Sequence, residues 1–414
     1  MKFSRTMVHS KAISIPTIRF DKDSRLTSFA GLVVFQKLFK VLNLRQRIAE
    51  CFSHLDGDSK ILGFPKAFLI LVIHLLLGFR RLRGMNYYRH DPLVAHVLGL
   101  KILPDVSTLT RTLSECDDVS VNKVRALVRH MTIERIRYEK FPRITFDFDG
   151  SVQSTKGHIE GTAVGFNKVK KGARSYYPLF CTIAQTGQFF DMHHRPGNVH
   201  DSNGATEFMT HCFSTVKKNL GTIVLEARFD SAFFDEERID KLIEQGIEFT
   251  GSVPFERFAE LKKLIEEQKV WNDISGGWWY AEVSWKPKKW KTKASVRFIF
   301  YRQRVTIQQK GPLQLDLFTP KDFKYEYKVI VTNKEDCADT VLHFHNGRGS
   351  QEKVLGEAKQ HVALDIIATH GLVPNRLFTL ASLLSHNLSR EVQMGAREPE
   401  RGTLRKRPAR WEFS

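Results

Sequence analysis

Residues 144–151, ITFDFDGS, alternate apolar and polar side chains and end on an acid followed by two small residues. Alternation with period two over four to eight residues is typical of a strand with one buried face. Two segments with strand-like composition follow, YYPLFCTIAQ at 176–185 and QFFDMHHR at 188–195, and Gly187 between them predicts a hairpin. The sequence therefore predicts three consecutive strands, the first of which ends at Asp149.

The pattern then becomes helical and returns to strand. Residues 203–220 have helical periodicity, the apolar run TIVLEARFD at 222–230 ends on Asp230, and residues 234–246 are again helical in pattern. A short strand-like segment, EFTGSVP at 248–254, comes next. The order strand, strand, strand, helix, strand, helix, with acids at the ends of two strands, predicts a ribonuclease-H-like α/β core.

Charge narrows the class of partner. The 414-residue chain carries 64 Lys and Arg against 45 Asp and Glu, which gives a formal net charge of +19, and a basic tail occupies residues 396–414. Solubility does not require so large an excess, so the composition favours a polyanion, with nucleic acid ahead of a membrane surface. The apolar run at 67–79 is shorter than the roughly 20 residues of a bilayer span, which predicts a buried helix.

The cysteines indicate whether the protein works in an oxidising or a reducing compartment of the cell. The five cysteines are scattered, odd in number and without any CxxC spacing. This pattern argues against a disulfide framework and against a structural zinc site. No basic, apolar and small-residue succession opens the sequence, so no secretory signal is predicted. We therefore expect reduced thiols and a cytoplasmic protein.

Residues 1–138 are predicted to form a helical N-terminal DNA-binding domain, because apolar residues recur at helical spacing from about residue 26. Within it, PDVSTLTRTL at 104–113 combines a capping residue with helix-period leucines and an outward Arg111. Such a short helix suits a DNA groove, and an ordinary capped helix explains the same pattern.

Residues 258–338 predict a β-rich insertion between two parts of the core, 139–257 and 339–395. Five of the six tryptophans lie in it, and from Glu282 to Lys310 nine Lys or Arg accompany a single acid. Alternation in ASVRFIFYRQ and YEYKVIVTN predicts strands. Basic residues with interleaved aromatic rings suit DNA, because cations hold phosphates and rings stack on unpaired bases. Packing of these tryptophans in a core is the alternative.

A helix is predicted after the insertion, from HNGRGSQEKVLGEAK at 345–359 and onward through residue 370. Arg348 lies four residues before Glu352, and Lys359 lies seven after it, so the three share one helical face. Alone, this row is explained by surface ion pairs. Together with the acids that end two strands, it indicates a site for metal and phosphate.

These residues resemble the DDE transposases of bacterial insertion sequences, in the branch whose signature is Tyr-x2-Arg-x3-Glu-x6-Lys. Arg348, Glu352 and Lys359 fall on the Arg, Glu and Lys of the signature, and His345 occupies its Tyr position. The departure at His345 affects a phosphate or base contact and leaves the metal chemistry intact.

The two acidic segments are similar to motifs of the same family. FDFDGS resembles the first acidic motif and RFDSAF the second, which makes Asp149 and Asp230 the matching carboxylates. The segments at 161–180 and 194–201 also resemble this group. The similarity extends over most of the chain, and family members of this branch carry a β-rich insertion between the second Asp and the Glu.

The resemblance implies an enzyme that binds the terminal inverted repeats of an insertion sequence, cleaves the ends by metal-dependent hydrolysis and joins the freed 3′-OH to target DNA. It implies three catalytic residues that also hold two Mg²⁺ ions, for which Mn²⁺ substitutes: Asp149, Asp230 and Glu352. It implies three DNA contacts: Arg348, Lys359 and His345. A homodimer on double-stranded DNA, in a bacterial nucleoid, belongs to the same expectation.

Other polar residues compete with these assignments. Asp147 lies on the same strand face as Asp149 and is either a partner behind the site or the ligand itself. Glu357 lies on another helical face and is predicted to be solvated. A zinc site is not favoured at three loop histidines that have no companion thiols: His193, His194 and His200. Four basic residues after the first strand either contact DNA or form a solvated charge run: Lys168, Lys170, Lys171 and Arg174.

Two other functions stay open from the sequence. A nuclease of similar fold would cut DNA without joining it, and a joining assay separates the two activities. A catalytically inactive, transposase-derived DNA-binding protein would keep the basic surface and lose the chemistry. The three acids count against the second alternative.

Overall fold

The computed structural model describes residues 27–55, 62–165, 170–199, 203–291, 295–304 and 325–396. The chain begins with helices, and in the described ranges six α-helices precede the first strand: α1 (Leu32–Val41), α2 (Leu44–Phe52), α3 (Phe64–Leu76), α4 (Pro92–Leu98), α5 (Val106–Ser114) and α6 (Asp118–Glu139). Asp91 and Asp117 accept hydrogen bonds from backbone N–H groups at the starts of α4 and α6. Such caps satisfy donors that have no partner inside the helix.

Strands and further helices make up the rest of the described chain. The strands are β1 (Arg143–Gly150), β2 (Gln153–Thr155), β3 (Ala163–Val164), β4 (Arg174–Tyr176), β5 (Leu179–Ile183), β6 (Gln188–His193), β7 (Val224–Phe229), β8 (Glu248–Ser252), β9 (Asn272–Ile274), β10 (Trp278–Val283), β11 (Arg297–Arg304) and β12 (Tyr325–Thr332). The helices are α7 (Ala205–Leu220), α8 (Glu236–Glu244), α9 (Ala259–Glu267), α10 (Ala338–Asn346), α11 (Gly349–His361) and α12 (Leu372–Ala396).

The main sheet has nine strands in the order β6-β5-β1-β7-β8-β12-β11-β10-β9. β5 is antiparallel to both β6 and β1, whereas β1, β7 and β8 run parallel. Gly187 closes the predicted β5–β6 hairpin with a φ of +65°, a value that glycine adopts readily. The molecule is therefore a mixed α/β fold with a large mixed sheet, and the core elements follow the order predicted from the sequence.

The strands predicted for the insertion extend this same sheet. β12 pairs with β8, and β11, β10 and β9 follow outward. α10 covers one face of these strands through a small apolar cluster that includes Tyr301 and Ile330. Residues 292–294 and 305–324 of the insertion lie outside the described ranges, as does most of the basic tail predicted at 396–414.

Two large apolar cores lie on opposite faces of the sheet. The first joins α1–α6 to α11, α12 and the Phe180, Phe189 and Met192 side chains of β5 and β6. The second lies among α7, α8, α9 and the other face of the central strands. α3 buries ten of its residues, nine of them in the first core, so the prediction of a buried helix in the apolar run at 67–79 is confirmed, and the helix ends at Leu76. In the part of the chain that the structure describes, no helix is long and apolar enough to span a membrane.

The helix that carries Glu352 is shorter than predicted. α11 ends at His361, and the expected continuation through residue 370 is wrong. Ala363 has a φ of +55°, and the backbone N–H groups of Val362 and Leu364 both donate to the Ala358 carbonyl. A left-handed residue with this bonding pattern terminates a helix.

Candidate functional site

Two strand ends bring the predicted aspartates together. β1 and β7 are parallel neighbours, and Phe148 is paired in register with Phe229. The residues that follow, Asp149 and Asp230, therefore lie side by side at the same edge of the sheet. Oδ1 of Asp149 accepts a hydrogen bond from the Gly150 N–H at 2.8 Å, and Oδ1 of Asp230 accepts one from the Ala232 N–H at 3.0 Å.

α11 adds the third carboxylate and a cation. Arg348, just before the helix, lies with Nη1 3.8 Å from Oδ2 of Asp149 and with Nη2 3.1 Å from Oε1 of Glu352. The contact with Glu352 has the four-residue spacing expected of one helical face. We call Asp149, Asp230, Glu352 and Arg348 the acidic cluster. Its arginine is largely buried, at 18% exposure, while the Glu352 side chain is 62% exposed.

Electrostatic coupling links the carboxylates of the acidic cluster. Burial raises the pKa of Asp149 to about 7, and the negative charges of Asp230 and Glu352 act in the same direction. Arg348 and the hydrogen bond from the Gly150 N–H oppose this rise. A carboxyl group in such a setting holds a proton far more readily than one in water.

The carboxylate of Asp147, unlike that of Asp149, is fully buried and already paired. Its side chain is 1% exposed and forms a bidentate pair with Arg228, whose Nε and Nη2 lie 2.6 and 2.7 Å from the two carboxylate oxygens. Nη1 of Arg228 donates to the Phe344 carbonyl at 2.9 Å, and Nε2 of Gln351 donates to the Asp147 carbonyl at 2.8 Å. These bonds tie β1 and β7 to α10 and α11, and both carboxylate oxygens of Asp147 are engaged by Arg228.

Arg228 and Gln351 were not predicted from the sequence to be part of this arrangement. The available signal was an arginine in the otherwise apolar run TIVLEARFD. A buried arginine needs a paired acceptor, and the strand register sets Asp147 of β1 opposite Arg228.

His345 lies in the interior, where both ring nitrogens have partners. Nε2 is 2.8 Å from the hydroxyl oxygen of Ser252, and Nδ1 is 3.0 Å from that of Thr250. Burial lowers the pKa of His345 to about 3, with further lowering from nearby cations, so the ring is neutral. The DNA contact predicted for His345 would require it to leave this position, and its contacts here are those of a residue that holds α10 against β8.

The structure also locates the remaining predicted residues. Lys359 lies on α11, two turns beyond Glu352 and about 10 Å further along the axis, and it is half-buried. Glu357 was predicted to be solvated, and this is wrong. It is half-buried, and burial raises its pKa, because its helix packs against α12.

The histidines and basic residues considered as a metal or charge cluster have other partners in the structure. The ring centres of His194 and Tyr176 are 4.4 Å apart, and His193 stacks on Phe208. Arg174 on β4 donates to the Thr162 hydroxyl at 3.1 Å. Lys170 and Lys171 are exposed, and Lys168 and His200 lie outside the described residues. Over the described ranges, no three His, Cys, Asp or Glu side chains are arranged to hold one metal ion together.

Comparison with known proteins identifies the family. The family model described as transposase DDE domain group 1 matches residues 11–405, nearly the whole chain. The protein therefore belongs to this transposase family. Its chain is also similar to the piggyBac transposase in a cryo-EM structure of a synaptic complex with hairpin DNA, with 11% identity and a TM-score of 0.49, over 91% of this chain and 77% of that one. No curated protein sequence matches the chain.

Proposed function

We propose that this protein is a DNA transposase that binds the terminal inverted repeats of an insertion sequence, cleaves the transposon ends and joins the freed 3′-OH to target DNA. Its catalytic residues are Asp149, Asp230 and Glu352. The observation that carries the proposal is the geometry of the acidic cluster, in which Asp149 and Asp230 follow two paired strand ends and Arg348 contacts both Asp149 and Glu352. Membership of the transposase family supplies the reaction class.

The strand order supports a ribonuclease-H-like core for this chemistry. Along β6-β5-β1-β7-β8, the central strand is β1 and only β5 runs in the opposite direction. Asp149 and Asp230 follow the ends of two adjacent parallel strands, and Glu352 comes from a helix later in the chain. The sheet brings the two strand ends to one edge, and α11 adds Glu352 on the same side, although the three acids are far apart in sequence.

The donor set suits a divalent metal. Asp149, Asp230 and Glu352 offer only carboxylate oxygens, which Mg²⁺ prefers, and their mutual repulsion is what a cation relieves. Glu352 contacts Arg348 here. Because its side chain is 62% exposed, it has room to turn towards the two aspartates. Two Mg²⁺ ions would be held by these residues and would supply charge neutralisation at the phosphate and activation of the attacking oxygen, and Mn²⁺ would substitute.

Arg348 positions both the protein acids and the DNA. Without DNA, its guanidinium offsets the negative charge of Asp149 and Glu352. With DNA bound, its planar donors suit a phosphate oxygen next to the cleaved bond. The pair of Asp147 and Arg228 fixes β1 and β7 beneath it, so the two strand ends that carry Asp149 and Asp230 are in place before substrate arrives.

We assign the positive charge outside the acidic cluster to DNA binding. The formal charge of +19 supplies the sequence-independent attraction to phosphates. Lys359 extends this surface along α11, and the proposal includes DNA contacts from the N-terminal helices and from the insertion strands. Paired transposon ends also require two copies of the chain, so a homodimer on DNA is part of the proposal.

A cleavage and joining assay tests the proposal. The substrate is DNA that carries the inverted repeats flanking the gene, with Mg²⁺ present, and the decisive variant is Glu352→Gln, which is nearly isosteric and removes the charge. We expect cleavage and joining to fall at least 100-fold in this variant while binding to the DNA ends remains, because the lost group acts on the reacting phosphate and contributes little to binding.

A matched control lies on the same helix. Glu357→Gln makes the same chemical change away from the acidic cluster and should leave cleavage unchanged. Equal loss of activity in both variants would remove the catalytic assignment of Glu352. Cleavage without joining by the unchanged protein would identify a nuclease, and DNA binding without either reaction would identify an inactive DNA-binding protein.

A further inference from the structure

Lys328 on β12 reaches the junction of α10 and α11, beside the acidic cluster. It lies two residues before Ile330 and faces α10. Its Nζ donates to Oδ1 of Asn346 at 2.8 Å and lies 5.5 Å from the ring centre of Trp278. Asn346 is the last residue of α10 and precedes Arg348 by two positions.

The partners of Lys328 are weaker than those of comparable cations in this fold. Lys334, just after the same strand, pairs with Glu226 at 2.7 Å and also with Glu248. Arg228 has the bidentate pair with Asp147. Over the described ranges, Lys328 forms no ion pair with a carboxylate. A neutral amide oxygen and an aromatic ring compensate a half-buried ammonium less than a carboxylate does.

Three cations lie at this junction, and Lys328 is the one without a carboxylate partner in the described ranges. After burial, the cations that lower the pKa of His345 are Lys328, Arg348 and Arg228. Both arginines are paired with carboxylates. Burial lowers the pKa of Lys328, Glu326 opposes this fall, and Arg348 adds to it by a smaller amount. An anion placed beside Lys328 would compensate a half-buried ammonium that has only an amide oxygen and an aromatic ring as partners.

We infer that the Lys328 ammonium binds a backbone phosphate of the DNA strand whose reacting phosphodiester lies at the acidic cluster. Trp278 and Asn346 hold the side chain in place for this contact. A strand suits the arrangement better than a free anion, because Arg348 and Lys328 then bind phosphates of the same chain. The inference rests on the proposed function, since it requires DNA at the acidic cluster.

The salt dependence of DNA binding tests the inference without requiring catalysis. The probes are a fluorescein-labelled 20-nucleotide single strand and a duplex of the same sequence, titrated with the full chain at several KCl concentrations. The slope of log K against log [KCl] is negative for DNA binding. We expect Lys328→Met to make it less negative by about 0.7 with the single strand or about 0.9 with the duplex, the value for one lost phosphate contact. Lys328→Arg should restore the slope.

Control variants separate a phosphate contact from a structural role. Lys263→Met removes a positive charge from the exposed pair with Glu267 on α9 and should leave the slope unchanged. Lys328→Gln is a second neutral variant, used if thermal unfolding shows that Lys328→Met is not folded.

Three results would overturn the inference. A slope in the neutral Lys328 variants equal to that of the unchanged protein is the first, since a merely structural lysine would weaken binding without changing the number of phosphate contacts. An equal change in slope for Lys263→Met is the second. If the unchanged protein binds neither probe, the proposed function fails and the inference with it, whereas the first two results leave the proposed function intact.

Discussion

His345 shows how a single buried side chain sets the response of the fold to acid. The pKa of His345 is about 3 in the folded protein because of burial, against an ordinary value near 6.5. The unfolded chain therefore binds a proton at a pH where the folded protein does not. Stability from this residue is complete above about pH 6.5 and is lost as the pH falls from there towards 3.

We predict that His345→Gln reduces the acid sensitivity of folding. Between pH 7 and pH 5, the unchanged protein should lose about 2 kcal/mol of unfolding free energy through His345, and the variant should not lose this part. Urea unfolding at both pH values measures the difference. His343→Gln on the same helix is the control, because that ring is exposed to water. Parallel pH profiles for His345→Gln and the unchanged protein would contradict the prediction.

Residues with a local signal were predictable, and residues defined by distant partners were not. Asp149 and Asp230 stand at strand ends, and Glu352 and Arg348 are four apart on a helix, so pattern and spacing indicated all four. Lys328 has partners on α10 and β10 that only the folded sheet brings near it. The burial of His345 likewise depends on hydroxyl groups of β8, about 95 residues earlier in the chain.

At the scale of elements, the packing of β8 against β7 supports the position of Asp230. Gly251 on β8 is paired with Phe229, and a Cβ at Gly251 would overlap the Phe229 ring. Phe229 directly precedes Asp230. A side chain at Gly251 must therefore shift the strand end that presents a carboxylate to the acidic cluster.

We predict that Gly251→Ala costs about 1–3 kcal/mol of unfolding free energy and also lowers DNA cleavage, because the added methyl group overpacks the site of Phe229. Gly356→Ala is the matched comparison at an exposed position of α11, where the added Cβ would meet open space. It should stabilise the protein by about 0.5–1 kcal/mol, since glycine is unfavourable inside a helix. Thermal and urea unfolding give both values, and a neutral Gly251→Ala would contradict the packing argument.

The strands and helices were easier to predict from the sequence than the pairings between strands. Alternation and turn residues identified the strands of the core and of the insertion, because both signals are local. The pairing of β12 with β8 joins segments about 80 residues apart, and nothing in either segment specifies that partner. The end of α11 depended on one left-handed residue, Ala363, which has no strong preference for that conformation.

At the scale of the molecule, the N-terminal helices and the sheet share one core. The boundary predicted at residue 138 falls in the last turn of α6, just before β1, yet the first core includes residues from α1–α6 and from α12. Ser385 on α12 donates to the Val72 carbonyl of α3, and Arg135 on α6 bonds with Glu391 on α12. Composition and periodicity change at this boundary, but the burial of apolar surface continues across it.

We predict that a fragment of residues 139–414 does not fold by itself, whereas the full chain unfolds cooperatively. Without α1–α6, the apolar face of α12 and the Phe180 and Phe189 side chains would be exposed to water, at a cost of about 25 cal/mol for each Å². Circular dichroism during thermal unfolding, with hydrogen exchange of the amides of β5 and β6, measures both proteins. A fragment with a cooperative transition and protected amides would show that the sheet is an independent domain. Loss of both would mean that the sheet needs the packing of α1–α6 to fold, so that the DNA contacts proposed for these helices would have a fixed position relative to the acidic cluster.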